Sequence, residues 1–146
     1  INDVYTALQI ERGNNMKSMI DIYNLLKQFG IMLDAIEQNA PKLWHAKAGA
    51  AYLEYEMKLN DAEIISAVRY HTTAKAGMTL LEKILYLADF TSEDRNYLGV
   101  EDMRRAVDEG LDVAMQDALI FTVMDLKEKG SAVHEDTLQA YKEYVG

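Results

Sequence analysis

Three histidines, His45, His71 and His134, are the only imidazoles in the chain, and there is no cysteine. Thiolate nucleophiles, disulfide frameworks, zinc ribbons and iron–sulfur clusters held by this chain are thereby excluded, and any metal must sit on His, Asp and Glu. Two of the histidines lie in runs rich in chemical groups, Trp44-His45-Ala46-Lys47 and Arg69-Tyr70-His71-Thr72-Thr73-Ala74-Lys75. A carboxylate is the third feature: Asp89 follows Leu87-Ala88 at the C-terminal end of an apolar, helix-like run. A helix dipole disfavours an anion there, so a sheltered Asp89 calls for a cation, a hydrogen-bond donor or a metal. Two imidazoles and one carboxylate suit iron or manganese better than a thiolate-loving ion. Plainer readings stay open: His45 and His71 as hydrogen-bonded, partly buried helix residues, and Asp89 as an ion-pair partner of Lys83 or Arg95. His45 and His71 stand too far apart for a paired-histidine motif on one helix. His134, just before Glu135-Asp136-Thr137, reads as a residue at a helix start.

Helices must position these groups. Apolar residues at three- and four-residue steps predict a helix over residues 16–29, ended by Gly30, and a short one over residues 3–12, stopped by Gly13-Asn14-Asn15. Residues 31–40 are ambiguous, with a single turn around residues 33–36. Pro41 supplies an N1-type start for a helix over residues 42–58, in which Ala46, Ala50 and Leu53 form a small-residue stripe suited to close packing. Asn60 or Asp61 caps a helix over residues 62–71. Thr79-Leu80-Leu81-Glu82 is a capping box, in which the Thr hydroxyl accepts from the Glu82 amide and the Glu carboxylate reaches back. The helix it opens is apolar nearly all round, which predicts a central position. A polar loop over residues 91–99 then precedes helices over residues 100–109, 111–129 (stopped by Gly130) and 135–144.

The whole composition agrees with an all-α domain. One proline, eight glycines and abundant Ala, Leu, Met, Glu and Lys favour helices over a many-stranded sandwich. At 146 residues the chain has the length of a single domain. A net charge of −9 argues against a nucleic-acid-coating surface. No apolar run approaches the roughly 20 residues of a membrane span, so a soluble, cytoplasmic protein is the expectation.

Three runs together resemble the bacterial YqeK family: Leu43-Trp44-His45-Ala46-Lys47-Ala48-Gly49-Ala50, Val68-Arg69-Tyr70-His71-Thr72-Thr73-Ala74-Lys75-Ala76-Gly77-Met78, and Thr79-Leu80-Leu81-Glu82-Lys83-Ile84-Leu85-Tyr86-Leu87-Ala88-Asp89-Phe90. Arg95-Asn96-Tyr97-Leu98-Gly99-Val100 and Val133-His134-Glu135-Asp136-Thr137-Leu138 fit the same pattern, so the likeness covers roughly residues 16–146. Members are HD-superfamily phosphohydrolases that split diadenosine tetraphosphate symmetrically into two ADP. The resemblance implies an all-α HD-domain helical bundle with a metal pair, usually iron, manganese being an alternative. It carries ligand roles onto His45, His71 and Asp89. It makes Lys75, Arg95, Thr72 and Thr73 candidate phosphate binders, with Thr72 and Thr73 alternatively orienting His71 and Arg95 alternatively pairing with Glu93 or Asp94. It also implies a nucleotide as small-molecule partner and a homodimer.

One departure is large. The family carries a further His and a His-Asp pair upstream of the segment matching residues 16–30, and this sequence has no histidine before His45. The single HD-type domain over residues 1–146 is therefore expected to lack part of its N-terminal helices. Two explanations follow. Either a stretch near Gly13-Asn14-Asn15 is omitted and the natural protein has the full site, or the chain is a shortened homologue that serves as a non-catalytic nucleotide- or partner-binding module.

Overall fold

Helix ends decide most of this architecture. The computed structural model describes residues 19–146, and no strand occurs among them. The helix expected over residues 3–12, the stop at Gly13-Asn14-Asn15 and the omission expected beside it lie outside the described residues. The chain divides into two units, Ile1–Thr72 and Thr73–Gly146.

In the first unit, α1 (Met19–Gln28) ends where Gly30 adopts a φ of +68°. The Gly30 amide donates to the Lys27 carbonyl and the Ile31 amide to Leu26, a paired closure that needs a left-handed residue. The single turn expected around residues 33–36 is instead α2 (Ala35–Gln38), two residues later. Asp34 sets that start: its carboxylate accepts from the Glu37 amide while Glu37 reaches back to the Asp34 amide. The helix expected over residues 42–58 is three pieces: a 3₁₀ turn (Pro41–Leu43), α3 (Trp44–Ala51) and a π turn (Tyr52–Glu56). The π register leaves Leu53 fully buried and Tyr55 stacked on Phe29 at 5.6 Å. After it, α4 (Ala62–Arg69) starts at Asp61, whose carboxylate accepts from the Glu63 and Ile64 amides. It stops two residues before the expected end, so His71 lies in the turn beyond the helix.

One buried ion pair fixes α2 on α3. The Glu37 carboxylate, 2% exposed, meets Lys47 Nζ at 2.5 Å, and the Glu37 carbonyl accepts from the Trp44 indole at 2.6 Å. A single residue of α2 thereby holds the first turn of the helix that carries His45.

In the second unit, α5 (Leu80–Thr91) opens with the expected Thr79–Glu82 capping box. It is one-sided rather than apolar all round: Glu82, Tyr86 and Leu87 are buried, whereas Leu80 and Ile84 are exposed. The two exposed positions are four residues apart and share a face. Then come α6 (Val100–Glu109), α7 (Leu111–Glu128) and α8 (Glu135–Tyr144), with boundaries close to those read from the sequence. Helix α7 packs against α5, α6 and α8. Its Ala114, Met115, Ala118 and Leu119 are fully buried, in one cluster with Tyr86, Leu87, Met103, Ala106 and Ala140. The small side chains of Ala106, Ala114, Ala118 and Ala140 in this cluster let the helices draw near, and burying side chains such as Leu119 and Met115 contributes about 1.5–3 kcal/mol each. His134 is the N-cap of α8, its Nδ1 accepting from the Asp136 amide, as a helix-start residue should.

Two tests of stability follow. In Lys47→Met, Glu37 stays buried without its cation, so urea denaturation is expected to show a loss of about 3–5 kcal/mol, most of it recovered when Glu37→Gln is added. Tyr86 is fully buried, and that burial, against a hydrogen bond to Thr122 and with a smaller push from Asp89, lifts its hydroxyl from 10.0 to about 12. Between those values the unfolded chain releases a proton that the folded chain keeps, so stability falls as pH rises from about 10 to about 12. Tyr86→Phe is expected to flatten that decline in denaturation curves taken across the range, and an unchanged slope would contradict it.

Candidate functional site

Two of the three proposed ligands meet in the first unit. His45 lies in the first turn of α3 and His71 just after α4, and their ring centroids are 5.2 Å apart, tilted by 51°. Close packing of the two helices allows this. Ala46, Ala50 and Leu53 are buried, as the small-residue stripe predicted, and a Cβ placed on Gly49 would stand 3.4 Å from the Val68 side chain.

His71 is 2% exposed, and its Nδ1 lies 2.6 Å from the Val68 carbonyl. A carbonyl only accepts, so in the neutral ring the proton sits on Nδ1 and Nε2 carries the lone pair. That is the tautomer a metal-ligating imidazole needs, with the ring fixed by backbone. The donor chemistry of this imidazole pair therefore fits a metal ion. Thr72 follows, with its hydroxyl oxygen buried and without a hydrogen-bond partner among the described residues.

The second unit holds the other candidates. Asp89 lies in the last turn of α5, with its Oδ1 3.7 Å from the Arg95 guanidinium. Of the two partners open to Asp89 in the sequence, Arg95 is the one it meets, while Lys83 pairs with Asp112 at 2.9 Å. Lys75 Nζ is 3.3 Å from the Glu82 carboxylate, which also closes the capping box. Thr73 is buried; its hydroxyl donates to the Ala74 carbonyl and its own carbonyl accepts from Thr137. Ala74 stands between Thr73 and Lys75 with a φ of +62° and no exposed surface. A left-handed alanine costs about 1–2 kcal/mol, so its methyl group in the core and the Thr137 bond hold this turn against its own preference.

Sequence reasoning passed over Arg104. Its Nε donates to the Thr91 carbonyl at 3.2 Å, and its Nη2 to the carbonyls of Ser92 at 3.0 Å and Arg95 at 3.2 Å. The signal available was weak: one arginine among the charges of an amphipathic helix. Only its place, one turn into the helix that follows an acid-ended helix, sets it apart.

No protein-family model matches the chain. It is similar to the Bacillus subtilis protein named "Bis(5'-nucleosyl)-tetraphosphatase, symmetrical", at 38% identity over 101 residues, 69% of this chain and 54% of the relative. A Staphylococcus aureus protein of the same name is 30% identical over 125 residues, 84% of this chain and 64% of that protein. The chain thus spans between about half and two thirds of the length of these curated relatives. A structure from Clostridium acetobutylicum, described as a "predicted HD superfamily hydrolase involved in NAD metabolism", aligns with a TM-score of 0.81 and 28% identity, over 88% of this chain and 68% of that one.

The His71 geometry is open to direct test. Long-range proton–nitrogen correlation spectra, taken well above the usual imidazole pKa of about 6.5, are expected to show His71 protonated on Nδ1. A proton on Nε2 would mean that the Val68 carbonyl is not its partner. The all-helical fold agrees with these likenesses: over the part of their length that it spans, the chain is similar to the proteins named symmetrical bis(5'-nucleosyl)-tetraphosphatase and to the HD superfamily hydrolase structure.

Proposed function

We propose that the protein is a metal-dependent phosphohydrolase of dinucleoside polyphosphates, cleaving diadenosine tetraphosphate symmetrically into two ADP. The observation that most supports this is the imidazole pair, His45 and His71 at 5.2 Å, in a chain whose relatives bear the name of that activity. His45, His71 and Asp89 would hold metal, iron by preference or manganese, together with the upstream His and His-Asp ligands that the resemblance implies. A metal pair held there would supply Lewis-acid polarisation of phosphoryl oxygens and an activated water.

The chain's own residues account for the remainder. The Val68 carbonyl keeps His71 in its ligating tautomer. Arg95, whose partner Asp89 would turn to the metal, and Lys75, on its flexible stem, offer cationic donors to the phosphate oxygens. The buried Thr72 hydroxyl either donates to phosphate or steadies the neighbouring imidazole. In this hydrolysis, the water oxygen joins one of the two central phosphorus atoms. The bridging oxygen between those two atoms leaves with the second ADP, and the water's protons go to solvent through the site. A chain of charge −9 would receive this polyanion through local metal and guanidinium charge. The relatives' names favour this reading over a non-catalytic binding module.

The full gene product, incubated with diadenosine tetraphosphate and iron(II) or manganese, is expected to release two ADP per substrate. His71→Ala and Asp89→Asn should each lower kcat/KM by about 100-fold or more, since even residues that only orient metal ligands cost about 10–100-fold. ATP plus AMP as products would overturn the symmetric cleavage, and no nucleotide release with any of these metals would overturn the hydrolase.

A further inference from the structure

Negative potential converges on the C-terminal end of α5. The last four carbonyls of a helix have no donor within it, and the dipole places about half an elementary negative charge there. This helix adds a carboxylate, Asp89, in the same turn. Donors from beyond the helix answer it. The Ser92 amide bonds the Ala88 carbonyl at 3.0 Å, and the Tyr97 hydroxyl donates to the Phe90 carbonyl at 2.7 Å. Arg104, from the first half of α6, takes the carbonyls of Thr91, Ser92 and Arg95, and its Nη1 meets the Glu101 carboxylate.

These contacts have a direction. Thr91 and Ser92 open the turn that follows Asp89, and Arg95 closes it, so one guanidinium grips both sides of the segment between the acid and its arginine. The planar fork of Arg presents several N–H groups in fixed relation, which a lysine ammonium on a flexible stem does not. The side chain is 28% exposed, so it is partly withdrawn from solvent where it works.

We propose that Arg104 is a positioning residue: by tying the Thr91, Ser92 and Arg95 carbonyls it sets where the Asp89 carboxylate and the Arg95 guanidinium stand, and through them metal and phosphate binding. The inference rests on the reading of Asp89 and Arg95 as site residues. Without Arg104, three carbonyls turn to water and the turn loses its shape, and a displacement of about 1 Å is enough to cost a site much of its activity.

The test uses the full gene product and four variants. Manganese alone is titrated calorimetrically, and steady-state constants are then measured with diadenosine tetraphosphate. Asp89→Asn reports on the underlying reading and is expected to weaken manganese binding about 100-fold or more. Arg104→Gln should weaken manganese binding about tenfold and raise KM by a similar factor, by analogy with residues that orient metal ligands, while helical circular dichroism is retained. Arg104→Lys should fall between Arg104→Gln and the parent. Arg105→Gln, the same charge change on an exposed neighbour paired with Asp102, should match the parent. If Asp89→Asn loses manganese while both Arg104 variants keep the parent's manganese affinity and KM, the positioning role is overturned and the site reading stands. If Asp89→Asn binds manganese like the parent, the site reading itself falls. Should Arg104→Gln lose its helical signal, Arg104→Lys decides: parental affinity and KM in that variant overturn the proposal.

Discussion

An acid in the last turn of α5 is opposed by the field of the helix that carries it, and the second unit is arranged around that opposition. Asp89 cannot be moved to a more favourable end, because the capping box at Thr79 and Glu82 fixes where the helix begins and the buried Tyr86 and Leu87 fix its rotation. Compensation must therefore come from elsewhere, and two arginines and a tyrosine hydroxyl supply it. The compensation is not merely local. Arg104 stands on α6, and α6 is packed on α7 through Met103 and Ala106, so the core cluster and the turn after Asp89 share one frame. A side chain placed against electrostatic preference needs such a rigid surround, and a rigid surround is also what a metal ligand requires.

A different constraint, closeness of backbones, governs the first unit. The rings of His45 and His71 stand 5.2 Å apart, centroid to centroid, because α3 and α4 pack closely, with Gly49 facing the Val68 side chain and Ala46 and Ala50 buried. The end of α4 at Arg69 then matters as much as the packing. Had the helix run on through His71, the Val68 carbonyl would have been aligned along the axis toward a later amide. By stopping short, it is available to the His71 ring, and the imidazole proton is fixed on Nδ1.

Much of this was legible in the sequence, for identifiable reasons. Helices α6, α7 and α8 were read almost to the residue because glycine or a capping side chain brackets each one: Gly99 and Gly110, Gly110 and Gly130, His134. The Thr79–Glu82 box was legible because both halves are side chains at fixed spacing. The equivalent box at Asp34 and Glu37 was passed over, since a four-residue helix has too few positions to display a period. The break-up of residues 42–58 into 3₁₀, α and π pieces was hidden for the opposite reason: a long favourable pattern conceals a change in hydrogen-bond register. Burial misled at α5, where Leu80 and Ile84 look like core and are exposed. Among the candidate site residues, types and positions were legible. The Asp89–Arg95 pair was one of the two pairings open in the sequence, whereas the bonds from Arg104 to Thr91, Ser92 and Arg95 were hidden, because they end on carbonyls and a carbonyl has no signature in sequence.

Charge ties these observations together. A net charge of −9 opposes a polyphosphate at long range, but net charge describes the far field, and screening confines that field to about 8–10 Å at ordinary ionic strength. Within such a distance the arrangement of groups decides. Lys75 and Arg95 each stand beside a carboxylate, Glu82 and Asp89, which keeps them oriented in the absence of any anion. Of the two, Arg95 is the more readily redirected: its side chain is 45% exposed and its contact is a loose 3.7 Å. Lys75 is tied to a carboxylate that is 2% exposed and also closes a helix cap, so drawing it away would leave a buried charge poorly compensated. The two cations are thus unequally free to turn: in the proposed site an arriving anion would draw Arg95 first, on the turn that Arg104 holds.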